Sequence, residues 1–177
     1  MHGNQTTQPQ PAAPRPWWRV LLFGRHPRRT LARTLALVVG TFILFRYVLA
    51  LVRIEGPSML PTCRPNQVRV LNRLAYCFHE PRRGDIVAIR LRARRGALLK
   101  RIVGLPGETI AFRHGHLEVN GKLINEPYVK FPCNWEMSRR VLGPSEYYVV
   151  GDNRSMAWWD HDQGVPERQR IMGKLLL

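Results

Sequence analysis

Acidic residues are scarce in this chain of 177 residues. Asp and Glu number 12 against 28 Lys and Arg, a formal net charge of +16. No acid precedes Glu55. Lysine is also sparse: Lys100, Lys122, Lys130 and Lys174 are the full set, and the other basic residues are arginines. Arginine is effectively never deprotonated and cannot serve as an ordinary general base, so those lysines are the only candidates for a catalytic amine. Cysteine is limited to Cys63, Cys77 and Cys133. The odd number and the lack of CxxC spacing exclude a disulfide framework and a zinc site. One bridge stays open for an oxidising compartment, between a pair the sequence does not identify. High positive charge calls for a polyanionic partner, either nucleic acid or anionic lipid. No zinc finger, helix-turn-helix or aromatic RNA-binding signature is present. The charge is scattered rather than gathered into a stripe, and no nucleic-acid partner is expected.

What the chain does contain begins with a segment rich in Gln, Pro, Thr and Ala, from Met1 to about Pro16. It cannot bury a core and is expected to be disordered. Trp17 to Phe23 mixes aromatics, aliphatics and arginine, as interfacial segments do. Acid-poor, Arg-containing leaders also occur in organelle transit peptides, so an organelle inner membrane stays open as an address. Arg25, Arg28 and Arg29 then precede a mostly apolar segment from Leu31 to Val52, in which Leu35 to Phe45 is apolar apart from Gly40 and Thr41 and Arg46 interrupts the run. A spanning helix needs about 20 mostly apolar residues. The run reaches that length if Arg46 snorkels to the far headgroups. The positive-inside rule places the N-terminus in the cytoplasm and the rest of the chain on the outer face of the cell membrane. The expected organisation is a disordered basic segment over residues 1–30, a transmembrane anchor over 31–52 and a folded domain over 53–177.

Beyond the anchor the pattern turns strand-like. Gln67–Arg73 alternates polar and apolar residues, and Asp85–Arg92 and Ala97–Val103 are β-branched or aliphatic runs bounded by Gly. Glu108–Phe112 and His116–Val119 read as a hairpin around His114-Gly115, and Asn120-Gly121 is a turn signal before Lys122–Ile124. Glu146–Val150 and Ile171–Leu177 complete the set. Val129–Pro144 has no clear period and is expected to be a loop. The fold class predicted is mainly β: one N-terminal transmembrane helix and an all-β domain of mostly antiparallel, coiled sheets.

Three stretches carry chemistry. In Gly56-Pro57-Ser58-Met59-Leu60-Pro61-Thr62 the flanking Gly and Pro fix the backbone around Ser58. A serine held in this way is a candidate nucleophile, although a solvated loop serine fits the same residues. In Leu98-Leu99-Lys100-Arg101-Ile102-Val103-Gly104-Leu105-Pro106-Gly107, period two puts Lys100 on one strand face and Arg101 on the other. The two faces are not expected to bury both charges. A buried Lys100 would be desolvated toward the neutral amine and could take the proton of Ser58. The alternative is an edge-strand lysine that guards against aggregation. In Gly151-Asp152-Asn153-Arg154-Ser155 a strand runs into a polar turn. This reads as a brace beside the site, with Arg154 paired to Asp152, Asp160 or Asp162.

Taken in order, these stretches and Arg83-Gly84-Asp85-Ile86-Val87 resemble the boxes of the type I signal peptidases, the family of bacterial leader peptidases and mitochondrial inner-membrane peptidases. The resemblance covers about Leu31 to the C-terminus. It implies a membrane-bound serine endopeptidase, without metal or cofactor, with Ser58 as nucleophile and Lys100 as general base. It implies signal peptides of exported preproteins as substrates, cut after small residues of the Ala-x-Ala type, and the lipid bilayer as the other partner. Gly56, Ser58 and Met59 fall on the oxyanion and substrate-pocket positions, with the Ser58 N–H as one oxyanion donor. The implied all-β domain carries an apolar face against the bilayer, for which Trp158 and Trp159 are candidates; core packing is their alternative role.

Some positions depart from the family pattern. Gly56 stands where some members carry a hydroxyl donor. Ala157 stands where many carry a serine that hydrogen-bonds the lysine, with Ser155 nearby. Trp158-Trp159-Asp160-His161-Asp162 replaces the usual ending of the last box. Two rival readings remain. One is a Ser-His-Asp hydrolase using Ser58, His161 and Asp160 or Asp162; the other is a non-catalytic, basic, membrane-tethered binding module.

Overall fold

The computed structural model describes residues 27–91, 97–131, 133–157, 159 and 164–176. The expectations for residues 1–26, and those for Trp158, Asp160, His161 and Asp162, lie outside these. The chain divides into two compact units at Ile43/Leu44. The first holds helix α1, Pro27–Ile43. The helical path continues as a π-helical turn, Leu44–Val48, in the second unit. Together Arg28–Val48 gives 21 residues of helix, long and apolar enough to cross a membrane and none of them buried by protein. The apolar run read as helical to Val52 therefore divides at Val48, and its last residues enter strand β1, Leu49–Arg53. The β-branched and aliphatic character of Leu49-Ala50-Leu51-Val52 suits either state. Pairing with β2, Val68–Asn72, decides it, with Leu49 opposite Asn72 and Arg53 opposite Val68.

The remaining strands are β3 (Ile86–Arg90), β4 (Ala97–Gly104), β5 (Thr109–Arg113), β6 (His116–Val119), β7 (Lys122–Leu123), β8 (Met137–Val141), β9 (Tyr148–Val150) and β10 (Ile171–Leu176). They form a six-stranded sheet of order β1-β2-β10-β3-β4-β9 and a four-stranded sheet of order β7-β6-β5-β8. Every paired neighbour is antiparallel. The mainly β class and most of the strands follow the alternation in the sequence. Strand β8 does not: it lies within the stretch expected to be a loop. Four of its five residues are exposed, so no apolar alternation marks it. Its pairing to β5 is what makes it a strand.

Burial explains the sequence of the central strands. On β3, Val87 and Ile89 join Tyr76, Ile102, Tyr147, Val149 and Ile171 in one cluster. Ile86 joins Ile54, Met59, Cys63 and Leu175 in another. Both faces are covered, so the strand reads as continuous hydrophobics. A third cluster links the sheets through Val103, Tyr148 and Val150 on one side and Ile110, Phe112, Leu117 and Val119 on the other. Gly104 lies at this junction. A Cβ there would sit 2.8 Å from both Ile110 Cδ1 and Tyr148 Cβ, so only glycine lets the sheets approach.

One buried carboxylate ties the loop after β2 to β3 and β10. Asp85 accepts hydrogen bonds from the Tyr76 hydroxyl (3.0 Å), the Arg82 N–H (3.0 Å) and Lys174 Nζ (2.6 Å). Burial by itself would raise the Asp85 carboxyl, but bonds from Lys174, the Arg82 N–H and Tyr76 outweigh it and hold the group below its ordinary 3.8. A carboxylate depressed by folding contributes stability that is complete above its unfolded value and lost as pH falls through its folded value. Asp85→Asn should lower the apparent unfolding temperature in detergent by a constant amount above about pH 5. The gap to wild type should shrink below pH 3.8. A gap independent of pH would show that the Asp85 charge plays no part.

Candidate active site

Ser58 sits in the loop between β1 and β2, whose backbone is closed at its base and across its turns. Ile54 N–H donates to Gln67 C=O (2.9 Å) and Asn66 N–H to Ile54 C=O (2.8 Å). Leu60 N–H bonds Pro57 C=O at 3.1 Å in a turn that encloses Ser58, and Cys63 N–H bonds Met59 C=O at 2.9 Å in the turn that follows. Gly56 has φ +76°, a left-handed conformation that suits glycine. It offers no hydroxyl. The Met59 side chain is 1% exposed and packs with Ile54, Cys63, Ile86 and Leu175, anchoring the loop in the core.

Lys100 comes from β4, whose neighbours in the sheet are β3 and β9. It is therefore an interior-strand lysine, not an edge one. It is 1% exposed, and its Nζ donates to Ser58 Oγ at 2.8 Å across 42 positions of sequence. Arg101, on the next position, is also buried at 8%. The expectation that only one of the two charged faces of β4 would be buried does not hold, and the reason is Asp152. Arg101 Nε and Nη2 reach its two carboxylate oxygens at 2.8 and 2.6 Å. Arg101 Nη1 donates to Gly84 C=O at 2.7 Å, and the guanidinium stacks 3.9 Å from the Tyr128 ring centroid. A bidentate, stacked arginine tolerates burial that an unpaired charge does not.

The Gly151–Ser155 turn holds the Ser58 loop directly. Asn153 N–H donates to Ser58 C=O (3.0 Å) and Asn153 Nδ2 to Pro57 C=O (3.2 Å). The Ser155 hydroxyl donates to Asn153 Oδ1 at 2.7 Å, which fixes the amide orientation. Asp152 also accepts the Thr62 hydroxyl at 2.5 Å. Arg154 is 1% exposed; of the three acids the sequence offers it, Asp152 does not pair with it, and Asp160 and Asp162 lie outside the described residues. The partner of Arg154 is Glu126, held by Nη1 at 3.1 Å and Nη2 at 2.5 Å. Asp152 is committed to Arg101 and Thr62, and Arg154 turns to the segment after β7. Tyr128 joins the two ion pairs, with its ring on Arg101 and its hydroxyl donating to Glu126 at 2.6 Å. Burial, followed by the Glu126 charge, pushes the Tyr128 phenol far up, so it stays a donor. Burial likewise pushes the neighbouring Cys63 thiol up. Cys63, Cys77 and Cys133 are all free thiols.

Sequence reasoning missed Thr62, Arg101, Glu126 and Tyr128 as parts of this arrangement. Their partners lie 90, 51 and 28 positions away for Thr62, Arg101 and Glu126, and no local pattern announces such pairs. Among the other sequence candidates, Trp159 is 84% exposed.

Fold and site thus define a mostly β protein behind one N-terminal apolar helix, with a serine and a buried lysine in hydrogen-bond contact. Comparison with known proteins narrows this. Residues 28–177 match the family described as signal peptidase, peptidase S26. A signal peptidase I of Leptolyngbya laminosa is 32% identical over 182 residues, covering 98% of this chain and 87% of that protein. A signal peptidase I of Bacillus caldolyticus is 32% identical over 152 residues, covering 78% of this chain and 82% of that protein. A crystal structure of a signal peptidase I from Enterococcus faecalis is 25% identical and covers 55% of this chain and 97% of its own at a TM-score of 0.45. The chain belongs to the signal peptidase family.

Breaking a buried ion pair by removing one partner costs about 3–5 kcal/mol, because the other charge stays behind uncompensated. Arg101→Met should destabilise the protein by that order, since Asp152 is 0% exposed. Arg101→Met combined with Asp152→Asn should cost less than the sum of the two single changes. Denaturant unfolding in detergent measures both, and strictly additive costs would show that the pair is not coupled.

Proposed function

We propose that this chain is a membrane-bound serine endopeptidase that removes N-terminal signal peptides from exported preproteins, using Ser58 and Lys100. The observation that carries the reading is the 2.8 Å contact between Ser58 Oγ and the Nζ of a lysine that is 1% exposed. A serine hydroxyl needs a base within hydrogen-bond reach to become a nucleophile. Burial favours the neutral form of an amine, the form that can accept a proton.

In this mechanism Ser58 Oγ attacks the scissile carbonyl carbon while its proton passes to Lys100 Nζ. The Ser58 N–H stabilises the oxyanion as it forms. Collapse of the tetrahedral intermediate breaks the C–N bond, and Lys100 gives its proton to the leaving amine. Water then attacks the acyl ester. Lys100 takes a proton from the water, and Ser58 recovers one as the ester bond breaks. Asn153 supports these steps by fixing the carbonyls of Pro57 and Ser58, and so the position of Oγ. The proposed cleavage falls after small residues of the Ala-x-Ala type. The helix Arg28–Val48 anchors the chain, with the N-terminus in the cytoplasm and Ser58 on the outer face.

The test uses detergent-solubilised full chain and a preprotein with an Ala-x-Ala site. Ser58→Ala and Lys100→Met should each lower kcat by about 10³-fold or more, while His161→Ala stays near wild type. Loss with His161→Ala but not with Lys100→Met would transfer the base to histidine. Binding to anionic lipid or nucleic acid that is salt-sensitive and unchanged in Ser58→Ala, without cleavage by wild type, would favour a binding module.

A further inference from the structure

The six-stranded sheet ends in β1 and β9, and the four-stranded sheet in β7 and β8. Edge strands carry unpaired backbone groups, which proteins cover or guard. Strand β9 is covered: Val149 and Gly164 exchange backbone bonds at 3.0 and 3.2 Å, and Tyr147 N–H donates to Pro166 C=O at 3.1 Å. Strand β1 starts at the last helical turn and leads into the Ser58 loop. Strand β7 has two residues. Strand β8 is longer, with five residues, and β5 is its one strand neighbour among the described residues. Its free side offers about 17 Å of edge at 3.4 Å per residue.

Pairing fixes where the side chains of β8 point. Thr109 stands opposite Val141, Ile110 opposite Arg140 and Phe112 opposite Met137. Ser138 and Arg139 therefore share a single opposite number, Ala111, which makes a bulge. A cavity of about 220 Å³ opens there, bordered by Arg113, Ser138 and Arg139. Arg113 Nε and Arg139 Nη2 both reach the Glu118 carboxylate, at 3.0 and 3.5 Å, and their side chains stay 56% and 63% exposed. One buried acid thus serves two guanidiniums, and one positive charge is left over. Arg140 adds another. It is exposed and forms no ion pair among the described residues. Glu136 also borders the cavity, but it is occupied by His114, accepting its N–H at 2.6 Å and standing 3.1 Å from its Nδ1.

Basic residues on an edge guard it against pairing with itself. Two copies of β8 laid side by side would bring arginines together, and like charges across strands destabilise. The same side chains favour a strand that carries acids. Two features go beyond what a guard requires. One is the cavity between two arginines that share an acid, where a carboxylate can be held by both. The other is Val141, 70% exposed on the same face of the strand as Arg139. A phosphate would satisfy the arginines but leave the edge and Val141 bare. An extended peptide satisfies all three, with main-chain bonds giving affinity and alternate side chains giving specificity.

We propose that the free edge of β8 docks an extended, acidic segment of a partner protein. The backbone of the segment pairs with β8, one of its carboxylates enters the cavity between Arg113 and Arg139, and an apolar side chain on the same face covers Val141. The docked strand extends the small sheet from β5, whose Phe112 lies 5.3 Å from the Arg154 guanidinium. A partner held there is attached to the support of the Ser58 loop. The proposal rests on no assumption about catalysis.

The experiment titrates the full chain, in neutral detergent, into a short fluorescent peptide of alternating Glu and Val and follows anisotropy. One control peptide carries Lys in place of Glu. A second keeps every carboxylate but has all its backbone amides N-methylated, so it cannot complete a ladder. The acidic peptide should bind, the lysine peptide should not, and N-methylation should weaken binding at least about tenfold. Arg139→Gln combined with Arg140→Glu should also weaken it at least about tenfold, with the unfolding temperature unchanged. Arg140→Glu alone, at a side chain without an internal ion pair, should weaken it in the same direction. No binding at millimolar acidic peptide overturns the proposal. So does equal affinity for the N-methylated peptide, which reduces the edge to a charged patch. Unchanged affinity in the arginine variants places the peptide elsewhere and overturns it too. Phosphatidylglycerol added to the micelles that displaces the peptide as fully as unlabelled peptide does would make the arginines a headgroup site. A dimer in sedimentation that the arginine variants tighten would assign the edge to a second copy. Either result overturns the proposal.

Discussion

A guanidinium buried against a carboxylate fixes the geometry around Ser58. Arg101 occupies the position after Lys100, and its two bonds to Asp152 lock β4 to the Gly151–Ser155 turn. Asp152 in turn holds Thr62, and Asn153 holds the carbonyls of Pro57 and Ser58. Sliding β4 past the Ser58 loop would separate two charges in a place without water to receive them. Such a pair adds little net stability over an apolar substitute, because both ions lose hydration. Its value here is positional: one register of Lys100 against Ser58 is compatible with it, and neighbouring registers are not. Burial of the opposite strand face beneath Lys100 is then tolerable, since the charge beside it is already neutralised.

The same logic explains the second sheet. Strands β5 and β6 supply Ile110, Phe112, Leu117 and Val119 to the core that reaches Val103 and Val150. The segment after β7 supplies Glu126 and Tyr128. Through Glu126 and Arg154 it clamps the end of β9, and through Tyr128 it covers the Arg101–Asp152 pair. The small sheet therefore works as a buttress. It keeps solvent from the ion pair and makes the turn after β9 a fixed support rather than a surface loop.

Much of this was legible in the sequence because the signals were local. Val68–Asn72, Ile86–Arg90 and the Thr109–Val119 hairpin show period two or a Gly turn within a few residues. Ser58 and Lys100 stand out because Pro and Gly isolate the first and lysine is rare in the chain. The legible part ends where a residue's state depends on a distant partner. Leu49–Arg53 is equally apolar as helix or strand, and only pairing with β2 resolves it. Met137–Val141 lies on β5 with polar residues turned outward, so its composition reads as loop. Proximity in sequence points Arg154 to nearby acids, yet it holds Glu126, 28 positions away, while Asp152 is taken by Arg101 and Thr62. The prohibition on burying both charged faces of β4 failed for the same reason, since the compensating acid lies 51 positions away.

The central proposal, that Ser58 Oγ is the atom to which the substrate becomes attached, is open to direct chemical mapping. Full chain turning over a preprotein with an Ala-x-Ala site would be quenched in acid, digested and mapped by mass spectrometry. The account predicts an ester-linked adduct on the peptide containing Ser58, with the mass of the released N-terminal segment less one water. An adduct on any other residue would contradict it.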